Sequence, residues 1–436
     1  MNLGGLFFVG GRWTLDSCAL RCVYWVKAVF LRRCSRVGFR TSTNWVKNPT
    51  DISRKSRQYG FQAHRARVVM GMNLKSDNGY TVPARYWSHT DDGRVRCELC
   101  PRFCFLQNGQ RGVCFVRMRK DDQLLLTTYG RSTGFCVDPI EKKPLNHFYP
   151  GSAVLSFGTA GCNLKCKFCQ NWDITTARDT DRRAEDATPP MIAQAARRLG
   201  CRSVAFTYND PVVFLEYAVD VAHACHEAGV KTVAVTAGEI CPEPRKEFFA
   251  CMDAANVDLK AFTKQFYKKL CGGDLDTVLD TLIYLKRETS VWFELTTLII
   301  PGENDSDAEI DAMSKWVAKE LGPEVPMHFS AFHPDFKMRD HPPTPPHTLI
   351  RARQIAMANG IRYAYTGNVH DTDGGTTYCH HCEAPLIERD WYRLVAWGLD
   401  GAGRCRSCGT PCEGHFDPKP GTWGDRRLPV RPADFA

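Results

Sequence analysis

The sequence lacks any run of about 18 uninterrupted apolar residues, the length that a helix needs to cross a membrane. It also lacks a clean secretory signal, although it contains 21 cysteines. These absences argue against a membrane protein and against a secreted disulfide framework. The cysteines are clustered, and clustered cysteines outside an oxidising compartment indicate metal binding.

Acidic residues are scarce in residues 1–72, where thirteen Lys and Arg stand against only Asp16 and Asp51. The whole chain carries +9, so the basic excess belongs to this segment, and nucleic acid is not expected as a partner. Such a composition is typical of an organellar transit peptide, which predicts a mitochondrial or other organellar matrix location, with the cytoplasm as the alternative. A phosphate-binding arm stays open, as does a disordered extension before a start at Met70 or Met72.

Apolar, β-branched runs alternate with segments of helical periodicity through the middle of the chain. The runs are AVLSFG, SVAFTY, KTVAVTAG, VDLKAF, VWFELTTLII and MHFSAF. This alternation predicts an α/β fold, in which helices cover a parallel sheet. Sheets of this kind place their chemistry on the loops that follow the carboxyl ends of the strands.

Three cysteines, Cys162, Cys166 and Cys169, follow the first predicted strand in the stretch GTAGCNLKCKFCQNW. A structural zinc ion takes four protein ligands, and a cubane cluster normally takes four cysteines. Three thiolates therefore leave one metal corner open, which is useful only if something else binds there. The spacing indicates a reactive cluster, and a zinc site completed by a distant residue is the alternative.

The motif CNLKCKFC, with Phe168 before its last cysteine, resembles the signature of radical S-adenosylmethionine enzymes. The longer stretch YGRSTGFCVDPIEKKPLNHFYPGSAVLSFGTAGCNLKCKFCQNWDIT is similar to the radical S-adenosylmethionine member of the AmmeMemoRadiSam system, a group related to pyruvate formate-lyase activating enzymes. The resemblance runs from about Cys97 to Gly409. It implies a catalytic [4Fe–4S] cluster on Cys162, Cys166 and Cys169, whose open iron binds S-adenosylmethionine. Reductive cleavage of this cofactor gives a 5′-deoxyadenosyl radical, which abstracts hydrogen from an unidentified substrate.

The resemblance implies a partial (β/α)6 TIM-like barrel over residues 151–370. Composition and cysteine spacing add a basic extension, disordered or a transit peptide, over 1–75, a Cys-rich metal-binding region over 76–150, and a zinc-ribbon-like module over 371–436. The implied cofactor-binding residues are Phe168, Asn209, Asp210, Asp258 and Lys260. Ala237 departs from the related activases, which usually carry Asn there. The implied partners are a reductant protein such as a ferredoxin or flavodoxin, and a protein substrate.

Two further cysteine groups flank the predicted barrel. Cys97, Cys100, Cys104 and Cys114 form a C-x2-C-x3-C-x9-C group that suits either zinc or a second iron–sulfur cluster. Cys379, Cys382, Cys405 and Cys408 follow the pattern of a zinc ribbon, with Cys412 as a spare thiol or alternative ligand. We expect the ribbon to lie apart from the active cavity.

Two other functions compete with a hydrogen-abstracting enzyme. A glycyl-radical-enzyme activase would act on a protein partner. A non-catalytic Cys-rich protein would use its ribbon and basic arm to bind RNA or protein, but it has no need for an open three-cysteine loop together with Asn209, Asp258 and Lys260.

Overall fold

A computed structural model describes residues 80–178 and 184–435. The targeting hypothesis for residues 1–72 and the predicted extension over 1–75 lie outside these ranges. Within the described ranges, no helix has the length and apolar character needed to cross a membrane.

Nineteen strands are present in the described residues. The strands before the first predicted barrel strand are β1 (Val82–Pro83), β2 (Trp87–His89), β3 (Val95–Cys97), β4 (Phe105–Leu106), β5 (Arg117–Lys120), β6 (Gln123–Leu126) and β7 (Arg131–Pro139). The middle of the chain forms β8 (Ala153–Gly158), β9 (Glu185–Asp186), β10 (Ser203–Phe206), β11 (Lys231–Thr236), β12 (Ala254–Asp258), β13 (Trp292–Ile299), β14 (Met327–Ala331) and β15 (Ala364–Gly367). The last strands are β16 (Thr377–Tyr378), β17 (Pro385–Asp390), β18 (Arg393–Trp397) and β19 (Leu428–Pro429).

The α-helices connect the strands of the middle region. They are α1 (Trp172–Thr175), α2 (Pro189–Arg198), α3 (Leu215–Glu227), α4 (Pro242–Ala250), α5 (Lys264–Phe266), α6 (Leu275–Glu288), α7 (Asp307–Glu320), α8 (Pro346–Ala358) and α9 (Thr372–Gly375). Several begin as their sequences predict, with proline in the first turn of α2, α4 and α8 and a capping Ser306 before α7.

The central sheet follows the order β15-β14-β13-β12-β11-β10-β8-β7-β19, with β9 paired to β7. Strands β8 and β10 to β15 run parallel, and β8 and β10 are buried along their whole length because helices cover the sheet. Five of the six predicted runs form strands. The sixth, VDLKAF, contributes only Val257 and Asp258 to β12, because the chain turns after Asp258. A seventh parallel strand, β15, pairs with β14; its short sequence AYTG has no apolar run that would predict it.

The Cys-rich region before the barrel is joined to the sheet, because β7 pairs antiparallel with β8. It is also fixed to α3 by a buried ion pair. The Arg117 guanidinium donates to both carboxylate oxygens of Glu216, at 2.6 and 2.8 Å, and the Arg117 side chain is only 1% exposed. Removing one partner of such a pair would leave an uncompensated buried charge, so this contact holds the region in a defined place.

The last part of the chain packs against the same sheet. Strand β19 pairs with β7, and β17 carries the buried Arg389. Arg389 donates to the carbonyl of Asn146 at 2.8 Å and to the hydroxyl of Thr377 at 2.9 Å, and its Nε lies 3.9 Å from the Glu141 carboxylate. Glu141 also accepts a hydrogen bond from the Gly151 amide at 2.7 Å.

The stability of this junction should depend on pH. Burial, which outweighs the opposing charge of Arg389, raises the pKa of Glu141 to about 7. Between about pH 4.5 and pH 7 the folded state therefore binds more protons at this carboxyl than the unfolded chain does. The contribution of Glu141 to the free energy of unfolding is fully present below about pH 4.5 and is lost as pH rises through the folded pKa. Glu141→Gln should flatten the fall in melting temperature over this interval. Glu243→Gln, at an exposed surface carboxylate, is the control; parallel profiles for the two variants would contradict the assignment.

Candidate active site

A cavity of about 450 Å³ lies at the carboxyl ends of the parallel strands. All the residues predicted for the catalytic cluster and its cofactor line it: Cys162, Cys166, Cys169, Phe168, Asn209, Asp210, Asp258 and Lys260. They come from the loops after β8, β10 and β12, which are far apart in sequence. The parallel sheet therefore brings them to one place, as expected for this architecture.

A turn of π-helix at 267–271 fixes the backbone of the cysteine loop by hydrogen bonds. The carbonyls of Cys271 and Leu270 accept hydrogen bonds from the amides of Lys165 and Lys167, at 2.8 and 2.9 Å. Cys271 is also close to Cys166, and a hydrogen bond between the two thiols, together with burial, raises the pKa of Cys166. Cys271 does not line the cavity; among the described residues that do, the cysteines are the three of the motif. Among the described residues that line the cavity, no fourth cysteine completes the ligand set of the loop.

Asn209 holds the start of the cysteine loop. Its Oδ1 accepts from the Thr159 amide at 3.0 Å, and its Nδ2 donates to the Gly161 carbonyl at 2.8 Å and to the Thr159 hydroxyl at 3.2 Å. The sequence predicts contact with the cofactor for this residue. In the structure both hydrogens of its amide group point at the loop, so the side chain positions the motif from the adjacent strand end.

Asp210 links the ends of β10 and β11. Its carboxylate accepts from the Val212 amide, the Thr236 hydroxyl and the Ala237 amide, at 3.0–3.1 Å. Burial raises the pKa of Asp210, although these three donors oppose the shift. At the position where related activases usually carry Asn, Ala237 therefore contributes its backbone N–H to the site.

Asp258 and Lys260 form an ion pair inside the cavity, with Nζ of Lys260 2.6 Å from the Asp258 carboxylate. Asp258 is the last residue of β12, and a turn closed by the hydrogen bond from the Leu259 amide to the Val257 carbonyl, at 3.1 Å, follows it. Burial works against the charge on Lys260, but Asp258 and the thiols of Cys166 and Cys271 outweigh it and raise its pKa well above the ordinary value. A fixed cation thus stands beside the cysteine loop.

The sequence reasoning missed several residues of the cavity wall. They are Glu141, Lys142, Lys143, His328, Ser330, Arg389, Trp391 and Tyr392, among others. The first five of these residues lie in the stretches PIEKKP and MHFSAF. Charged or polar residues within or beside apolar runs could have indicated that these stretches line the cavity. Arg389, Trp391 and Tyr392 belong to the predicted ribbon module. The expectation that this module lies apart from the cavity is therefore wrong, because β17 and its turn form part of the wall.

The two flanking cysteine groups differ in geometry. The sulfurs of Cys379, Cys382, Cys405 and Cys408 all lie within 4.8 Å of one another, an arrangement that four ligands of one metal ion would adopt. Cys97, Cys100, Cys104 and Cys114 line a separate small cavity instead. Cys412 is outside the ribbon group, buried with its sulfur 3.9 Å from the His147 ring.

Comparison with known proteins identifies the family. The profile of the Radical SAM superfamily matches residues 157–313. An uncharacterized protein, MJ0808 of Methanocaldococcus jannaschii, is 40% identical over 327 residues, which cover 75% of this chain and 97% of that protein. The 4-hydroxyphenylacetate decarboxylase activating enzyme of Clostridioides difficile is 25% identical over 178 residues, covering 38% of this chain and 55% of that enzyme. The pyruvate formate-lyase-activating enzyme of Listeria monocytogenes is 23% identical over 180 residues, 38% of this chain and 70% of that enzyme. This chain belongs to the radical SAM superfamily.

The residues present fit the two groups that the family implies, an iron–sulfur cluster and S-adenosylmethionine. Three thiols on one loop border the cavity, and three thiolates are the ligand set that leaves one corner of a cubane cluster open. The cavity volume of about 450 Å³ is within the range of small-molecule sites.

Asn209→Ala should loosen the cysteine loop. The change leaves the buried Thr159 amide and Gly161 carbonyl without partners, which costs about 2 kcal/mol. We expect a lower melting temperature and less iron per chain after anaerobic reconstitution. Asn359→Ala is the matched control, because that amide also donates to two groups, Ser314 and Asp311, but far from the loop. An Asn209 variant that keeps full iron would contradict the positioning role.

Removing ribbon ligands should release one metal ion and open the cavity wall. We expect Cys405→Ser with Cys408→Ser to lower the zinc content by about one ion per chain and to make residues after about 375 sensitive to protease, because a bound structural zinc supplies roughly 10 kcal/mol of folding free energy. Zinc analysis and limited proteolysis of the purified double variant test this. Retained zinc would show that the four sulfurs do not hold it, and Cys412→Ser, outside the group, should leave the count unchanged.

Proposed function

We propose that this protein reductively cleaves S-adenosylmethionine at a [4Fe–4S] cluster held by Cys162, Cys166 and Cys169, and uses the resulting radical to remove hydrogen from a substrate. The observation that carries the proposal is the open three-cysteine loop, which faces a cavity with a fixed Asp258–Lys260 pair. When bound, the cluster supplies the electron that breaks the sulfonium bond and yields a 5′-deoxyadenosyl radical.

The residues of the chain supply positioning and charge. Asn209 fixes the backbone where the loop leaves β8. Lys260, whose Nζ is held by Asp258, places positive charge near the thiolates and offsets part of their repulsion. Trp391 and Tyr392 form part of the cavity wall.

An activase that acts on a protein partner is the second candidate. It is supported by the two activating enzymes to which residues of the barrel are similar. Membership in the AmmeMemoRadiSam group remains a prediction from the sequence, and it does not identify a substrate. In either case a low-potential one-electron donor, such as a ferredoxin or flavodoxin, is the expected reductant.

The test is production of 5′-deoxyadenosine from S-adenosylmethionine with dithionite as reductant. We expect Cys162→Ala with Cys166→Ala and Cys169→Ala to abolish it, because the three ligands are lost together. Cys201→Ala with Cys225→Ala removes buried thiols elsewhere in the barrel and should leave production unchanged. Undiminished 5′-deoxyadenosine from the triple variant would overturn the assignment, and its absence from the wild-type protein would favour the non-catalytic binding protein.

A further inference from the structure

The sulfurs of the two groups of four cysteines are spaced differently. In the ribbon, the Sγ atoms of Cys379 and Cys408 are 3.6 Å apart, and those of Cys382 and Cys405 are 3.7 Å apart. Four thiolates around one zinc ion, with bonds of about 2.3 Å, require sulfur–sulfur distances of about 3.8 Å, so the ribbon already has that spacing.

The cysteines of the first group are farther apart. No three of Cys97, Cys100, Cys104 and Cys114 have their sulfurs within 4.8 Å of one another, and all four line one small cavity. In a cubane cluster each cysteine binds a different iron corner, so its four sulfurs stand wider apart than around a single ion. The open spacing therefore favours a cluster over one ion.

The sulfur of Cys104 accepts a hydrogen bond from the backbone amide of Val113 at 3.4 Å. Buried apolar thiols have no need of such donors. Thiolate ligands do, and hydrogen bonds to sulfur are one of the features that adjust the reduction potential of a cluster.

Positive charge and the cysteine loop adjoin the same cavity. Arg117 and Arg102 line it. Glu216 neutralises Arg117, so of these two lining residues Arg102 is the one that can offset the negative charge that four thiolates bring. Arg102 also donates to the carbonyls of Asn163, at 3.0 Å, and Gly272. A Cβ on Gly161 would collide with the carbonyl oxygen of Cys114, so the two cysteine segments touch through their backbones.

We propose that Cys97, Cys100, Cys104 and Cys114 hold a second [4Fe–4S] cluster, placed directly behind the loop that carries the first. With four protein ligands this cluster has no open corner, so it does not bind S-adenosylmethionine. The proposal concerns a different site from the proposed function and does not depend on it.

The test uses the full chain with Cys162, Cys166 and Cys169 all changed to Ala, reconstituted anaerobically with iron and sulfide. The first cluster is then absent whatever its activity. We expect about four iron and about four sulfide per chain. Dithionite should produce an electron paramagnetic resonance signal that S-adenosylmethionine leaves unchanged. The wild-type protein should hold about eight iron, and S-adenosylmethionine should change only part of its signal.

Adding Cys100→Ser and Cys104→Ser to the triple variant should remove the remaining iron. The matched control adds Cys225→Ala and Cys251→Ala instead, two buried thiols outside the three groups, and should keep it. Circular dichroism of each variant shows whether it is folded. A triple variant with no iron and about two zinc ions would overturn the proposal in favour of a zinc site.

Discussion

The backbone of the cysteine loop is the part of the molecule on which the rest depends, because its three thiols can serve one cluster only if their spacing is fixed. Hydrogen bonds hold it from three directions. Asn209 binds its first residues from the neighbouring strand end, the carbonyls of Leu270 and Cys271 bind its middle, and Arg102 reaches the Asn163 carbonyl from the Cys-rich region. Each restraint comes from a different segment of the chain. A change in the position of any of these segments would therefore change the spacing of the three thiols.

Charge in the cavity follows from the same arrangement. Thiolates repel one another and are costly to bury, so cations must stand near them. Lys260 provides one beside the cysteine loop, and Arg117 and Arg102 provide others behind it. Asp258 holds Lys260 and Glu216 holds Arg117 by ion pairs, and Arg102 is held by the carbonyls of Asn163 and Gly272.

Much of the fold could be predicted from the sequence, since apolar runs such as AVLSFG and VWFELTTLII that alternate with segments of helical periodicity indicate buried parallel strands. The cysteine loop was equally predictable, because it follows the first of them. Strand β15 was missed because four residues carry too little pattern. The role of Asn209 could not be predicted, since its partners are backbone groups fifty residues earlier. The contribution of Arg389 and Trp391 to the cavity was missed because it depends on long-range docking that no local pattern encodes.

The pairing of β19 with β7, and the position of Trp391 in the cavity wall, have a consequence for biosynthesis. A chain emerges from the ribosome from its N-terminal side, and domains fold in that order. The cysteines of the motif therefore leave the ribosome well before Trp391 of the cavity wall and before strand β19, which pairs with β7. Until those later residues arrive, a cluster inserted into the loop would stand open to solvent and oxygen. Cluster insertion after synthesis of the wall protects the metal, and a prematurely terminated chain lacks that protection.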